Sequence, residues 1–145
     1  MTQRLDAMNS RRSPHAGAVE NYRRLTVYQK SVAFQTELHA VILDFPFHYR
    51  RTLVAQLDGA AESIGANIAE GCGRKDKDHG NTELIRYLHL AFGSACEVEH
   101  RLQGAHNKKL IDVRTYSRLN AAIVEIKRML AGFIRRLREG DRGRR

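Results

Sequence analysis

Four stretches of this chain repeat apolar residues at alternating steps of three and four, a rhythm that suits the 3.6-residue turn of an amphipathic helix and no strand. Residues 25–45 put Val27, Ser31, Phe34, Leu38, Val41 and Phe45 on one stripe, and Pro46 ends the run because proline cannot continue a helix. Residues 52–70 do the same with Leu53, Leu57, Ala60, Ile64 and Asn67, widened by Ala61 and Ile68, and Gly71 suits a left-handed C-cap. Residues 82–106 carry Leu84, Leu88, Ala91, Ala95, Val98, Leu102 and Ala105 behind Asn81 as expected N-cap. Residues 113–138 carry Tyr116, Leu119, Ile123, Ile126, Leu130, Phe133 and Leu137 after Asp112 as cap. Sustained period-two alternation is absent, so no strand is expected.

Helices of this length span about 30–37 Å, and short connections fold each back along its predecessor. The pattern predicts an all-α protein, an antiparallel up-down four-helix bundle over residues 22–138, flanked by disordered basic termini at 1–21 and 139–145. A chain of 145 residues buries enough surface for one core without disulfide or metal staples. The longest stretch free of Asp, Glu, Lys and Arg is the ten residues Tyr87 to Cys96, too short to cross a membrane as a helix. Arg4, Arg11 and Arg12 lie in a start with no apolar segment, so no cleaved signal is expected. With two cysteines and no Cys-x-x-Cys pattern, a reduced, cytoplasmic setting follows.

The net charge of +9 is concentrated at the ends. Residues 1–24 hold five basic and two acidic groups and residues 135–145 six and two, against fourteen and twelve in the whole middle. Arg135, Arg136, Arg138, Arg142, Arg144 and Arg145 are therefore candidate phosphate contacts, binding by counterion release. Arg74, Lys75 and Lys77, in the loop after the second helix, are further candidates. That loop superficially resembles a phosphate cradle, but it follows a helix C-terminus, whose dipole disfavours anions. The plainer reading is a solvated tail, since residues 135–145 hold no aromatic side chain that could stack a base.

One set of residues is more specific than periodicity. Gln56, Ala60 and Ser63 lead into Asn67-Ile68-Ala69-Glu70-Gly71 and Arg74; downstream stand Leu88, Ala91, Gly93-Ser94, Glu97 and Glu99, and upstream Leu25-Thr26-Val27-Tyr28-Gln29-Lys30 and Phe45-Pro46. Over residues 22–138 this set resembles the four-helix bundle proteins of the type encoded in bacterial ribosomal RNA (23S rRNA) intervening sequences. The resemblance implies a left-handed bundle, assembly into a homo-oligomer with the five-fold ring as the expected pentamer, and no established enzymatic activity. The family is also similar in fold to the accessory protein of diversity-generating retroelements, which associates with a reverse transcriptase and nucleic acid. Asp58 and Gly59 stand where the family usually carries basic residues, which weighs against a basic surface on that helix.

Gln56, Ser63, Asn67 and Glu70 share one side of the second helix, and together with Ser94 they form the expected polar face for structure or assembly. Asn67 falls on a core-type position, where a paired polar group can fix register and oligomeric state. The same helix is rich in Gly and Ala, and glycine inside a helix costs about 1 kcal/mol relative to alanine. Close helix approach on two faces is the expected return, with Gly65 against a neighbouring subunit. Glu97-Val98-Glu99-His100 has the Glu-x-x-His spacing of di-metal bundles, but it occurs once and faces away from the expected core. Cys72, beside Arg74 and Lys75, is a weak candidate for an acidified thiol; Cys96 reads as packing.

These residues predict a non-catalytic, homo-oligomeric helical bundle that acts as a binding or assembly module associated with RNA or a nucleic-acid-handling protein. The competing expectation is a structural scaffold or protein-partner adaptor without a nucleic-acid role. No catalytic residue, metal site, cofactor, small-molecule substrate or membrane partner is expected.

Overall fold

The computed structural model describes residues 22–75 and 80–143. Four long helices carry the fold: α1 (Thr26–Ile42), α2 (Ala55–Gly73), α3 (Thr82–Asn107) and α4 (Val113–Arg142). A 3₁₀ turn (Phe47–Tyr49) and a π-helical turn (Arg50–Val54) lead from Pro46 into α2. The described residues contain no strand, and the all-α four-helix architecture expected from periodicity is the one observed.

Each helix packs on its sequence neighbours, and α1 closes on α4. On the α1–α2 side, Gly65 lies against Tyr28 and Ser31, and His39 meets Asp58. Between α2 and α3, Gln56 meets Arg101, Ser63 meets Ser94, and Gly71 lies against Leu84 and Tyr87. Across α3 and α4, Gln103 bonds Tyr116, Glu99 bonds Lys127, and His89 meets Arg138. Finally, Glu37 pairs with Arg118 and Lys30 with Glu125. In every pairing the numbering falls along one helix as it rises along the other.

The core follows the sequence stripe with small rotations. All seven apolar positions expected of α3 are buried. In α1 the last inward residue is Ile42, with Val41 half-buried; in α4 it is Ile134, flanked by half-buried Phe133 and Leu137. A straight helix drifts about 20° per heptad against a strict 3.5 repeat, so the inward stripe moves to a neighbouring residue late in a helix. Asn67 drifts out in the same way and is half-buried beside Ile64 and Ile68 rather than within the core.

Helix ends differ from expectation in ways with clear causes. Gly71 is a buried helical residue, not a C-cap, and α2 runs on to Gly73 with Arg74 as cap. Asp112 caps α4 as expected, its Oδ1 accepting from the Thr115 amide at 2.7 Å. Asn81 occupies the N-cap position of α3 but makes no capping bond there. Instead its Nδ2 donates to Asp141 Oδ1 at 2.9 Å, which ties the start of α3 to the far end of α4. That tie accompanies helix through Arg142, four residues beyond the expected end at Arg138. Gly80, with φ +66°, supplies the left-handed turn next to it.

Candidate functional site

The expected polar face of α2 lies along its seam with α3. Asn67 Nδ2 donates to the Ser63 carbonyl at 2.8 Å and to Ser63 Oγ at 3.0 Å. Ser63 Oγ also shares a hydrogen bond with Ser94 Oγ, 2.9 Å away on α3, in which either hydroxyl can donate. Outward from this cluster, two helical turns away at Gln56 and one turn away at Glu70, the seam becomes ionic. Gln56 Oε1 accepts from Arg101 Nη1 at 2.7 Å, and Arg101 also holds Glu97 at 2.9 Å. Glu70 accepts from Arg74 Nε at 2.6 Å. The structure thus joins Ser63, Asn67 and Ser94 into one cluster and places Gln56 and Glu70 on separate ion-paired groups along the same seam.

The expected basic contacts divide. Arg74 is held by Glu70, whose hydrogen bond pushes the guanidinium pKa further up, and it lies 5.5 Å from the Tyr87 ring centroid. It is a seam residue more than a free cation. Lys75 is exposed beside it, while Lys77 falls outside the described residues, as do Arg144 and Arg145. Arg138 turns toward α3 and donates to His89 Nε2 at 3.0 Å. Arg142, in the last turn of α4, is exposed.

Arg135 and Arg136 turn the other way, toward the start of α1, where they line a groove of about 550 Å³ with Arg24 and Arg128. The sequence reading passed over Arg24 and Arg128. A signal for Arg128 was present, since residues seven and eight apart share a helix face and Arg128 stands at those distances from Arg135 and Arg136. Arg24 joins them only through the packing of α1 on α4, which one helix's periodicity does not encode.

The remaining chemical candidates lie on α2 and α3. Glu97 and His100 are exposed, and Glu97 is engaged by Arg101. Among the described residues no group of three His, Cys, Asp or Glu side chains is placed to hold a metal ion. Burial pushes the Cys72 thiol up by more than nearby Lys75 lowers it, opposite to the acidification considered from sequence. Cys96 lines a second, polar cavity of about 490 Å³ with Glu99, His100, Gln103 and Lys127. There Glu99 bonds Lys127 at 2.8 Å and holds its ammonium pKa up. Asp58, the departure from the expected basic pattern, pairs with His39 of α1 at 3.3 Å and so serves the bundle itself. No helix among the described residues is long and apolar enough to cross a membrane.

A four-helix bundle with a polar-centred α2–α3 seam defines a small helical protein of the intervening-sequence type. The chain belongs to the 23S rRNA-intervening sequence protein family, whose profile matches residues 23–132. It is similar to the crystal structure of a protein with unknown function from the S23 ribosomal protein family of Bacteroides thetaiotaomicron. The two are 24% identical over 74% of this chain and 97% of the other, with a TM-score of 0.64, a likeness of fold. No curated protein matches the chain.

Proposed function

We propose that this chain is a non-catalytic bundle that assembles with copies of itself, in a ring of five, and serves as a binding module for RNA or a nucleic-acid-handling protein. The observation that carries the binding half is the distribution of ion pairs. Three flank carboxylates are engaged, Glu37 with Arg118, Glu99 with Lys127 and Glu125 with Lys30. Among the described residues no carboxylate pairs with Arg24, Arg128, Arg135 or Arg136, so the positive charge at that end is left for an outside anion.

Support for the assembly half comes from exposed surface. On the outward side of α2, Gly59 has nothing within 4 Å of where a Cβ would stand, and Ala66 is exposed. At the end of the bundle where α1 stops and α4 begins, Leu43, Phe47 and Val113 are 54%, 81% and 69% exposed. Those apolar groups also favour the scaffold or protein-adaptor reading.

Light scattering and RNA titration at two salt concentrations separate the readings. The expected result is a particle of five times the 16.5 kDa chain mass that keeps its selectivity between structured and unstructured RNA at the higher salt. A monomer overturns assembly, and an oligomer without RNA affinity leaves the scaffold or adaptor.

A further inference from the structure

We infer that the groove between the start of α1 and the last turns of α4 is a binding site for the phosphodiester backbone of a single nucleic-acid strand. The inference rests on the nucleic-acid reading above and assigns it to one place. Arg24 enters the groove from the segment before α1, and Arg128, Arg135 and Arg136 enter from α4, with Met129 and Phe133 as apolar lining. Two separate elements supply the charge, so the site depends on the fold and not on the basic terminus alone.

Three features give the groove its chemistry. First, among the described residues four arginines and no carboxylate line it. Second, α1 begins here with no acidic residue in its first turn and no side-chain cap from Leu25, so its first amides and positive dipole end add to the field. Third, Gly132 adds no side chain to the lining, and a Cβ there would stand at contact distance, 3.4 Å, from Arg136 Nη1. Arg136 itself rests over the Phe133 ring at 6.0 Å, which holds the guanidinium at the groove instead of in bulk water.

Charge stoichiometry selects the ligand. A free phosphate carries at most about two negative charges and cannot neutralise four arginines. Successive phosphates of a strand can, one charge at a time. Arg128 and Arg135 stand two helical turns apart, about 10.5 Å along α4, so they address different phosphates of a strand. Contacts to phosphate carry no sequence information, so binding through the backbone is expected to be independent of sequence.

The test is fluorescence anisotropy with a labelled twelve-residue oligouridylate across a salt series, with circular dichroism to confirm folding. Four released counterions give a log–log salt slope near −2.8, at about −0.7 per phosphate contact. The triple variant Arg128→Gln/Arg135→Gln/Arg136→Gln is expected to lose at least tenfold in affinity at low salt and to flatten the slope by about 2. All three side chains are exposed, so the fold survives their removal. Gly132→Glu, which places a carboxylate in the groove while leaving every arginine, is expected to weaken binding as well. Arg142→Gln/Arg144→Gln/Arg145→Gln is the control and should retain most of the affinity. Loss in that control with retention in the groove variants overturns the groove and leaves the nucleic-acid reading standing. A wild-type protein that never binds the oligomer overturns both. Full competition by millimolar inorganic phosphate at constant ionic strength also overturns the strand assignment, leaving a single-anion site.

Discussion

Gly71 and Tyr87 approach so closely across the α2–α3 seam that a Cβ at Gly71 would lie 2.7 Å from the Tyr87 Cβ and 3.1 Å from Leu84 Cδ1. The contact is backbone against the root of a side chain, so no rotamer change relieves it. Gly71→Ala gains about 1 kcal/mol of helix propensity yet must push the helices apart, an overpacking cost of about 1–3 kcal/mol. Net destabilisation is expected by urea denaturation. A more stable variant would show that the helices separate freely at this point.

The hydroxyl pair of Ser63 and Ser94 is the polar centre of the same seam. Ser94→Ala removes the hydroxyl partner of Ser63 and is expected to cost about 0.5–1.5 kcal/mol. In a double-mutant cycle, Ser63→Ala combined with Ser94→Ala should cost less than the sum of the single changes, since each single variant leaves a partner unsatisfied. Strict additivity would show that the two hydroxyls act independently.

Much of this was legible in the chain. The α3 stripe from Leu84 to Ala105 is inward throughout, because a regular run of three and four leaves only one face to bury. The sequence put Ser63, Asn67 and Ser94 on one polar face with Gln56 and Glu70, and in the structure the first three share hydrogen bonds while the other two lie on separate ion-paired groups. What one helix's periodicity cannot convey is which way a side residue turns once four helices pack. Gly65 was expected at a subunit contact, yet its Cβ would meet Ser31 Oγ at 3.3 Å and the Tyr28 ring at 3.5 Å inside the same chain. Asn81 was expected to cap and instead reaches Asp141, sixty residues away. Arg24 likewise acquires its role only from the end of α4.

Lys109 ends α3 in a conformation that favours glycine. Its φ is +60°, and the bonds from Leu110 N to Ala105 O (3.0 Å) and from Lys109 N to His106 O (2.9 Å) close the turn. An L side chain pays about 1–2 kcal/mol for this region, most of which glycine avoids. Lys109→Gly should therefore raise the melting temperature although it removes a charge and adds a flexible residue. A fall would mean that the lysine stem contributes packing the backbone argument omits.

Asp112 links stability to pH. The Thr115 amide, hydrogen-bonded to its carboxylate, holds the Asp112 pKa below the ordinary aspartate value. The carboxylate's stabilisation is therefore complete above that ordinary value, about 3.9, and is lost as pH falls through the lower folded value. Asp112→Ala should melt earlier than wild type at pH 7, and the gap should narrow below about pH 4. A gap that stays constant down to pH 2 would assign the loss to something other than the ionised cap.

Two glycines on α2 separate folding from assembly. Gly65 faces α1 at van der Waals distance, whereas Gly59 faces outward with open space around it. Gly65→Leu must displace Tyr28 or Ser31 and is expected to destabilise the bundle by about 1–3 kcal/mol or more, whatever the oligomeric state. Gly59→Leu starts from a Cβ in open space and improves helix propensity, so the isolated subunit should be at least as stable. If copies of this chain meet along the outward side of α2, that bulky group lies at their contact and the light-scattering mass falls while circular dichroism stays helical. An unchanged mass for Gly59→Leu would move the assembly surface away from α2, to the exposed Leu43, Phe47 and Val113 at the end of the bundle.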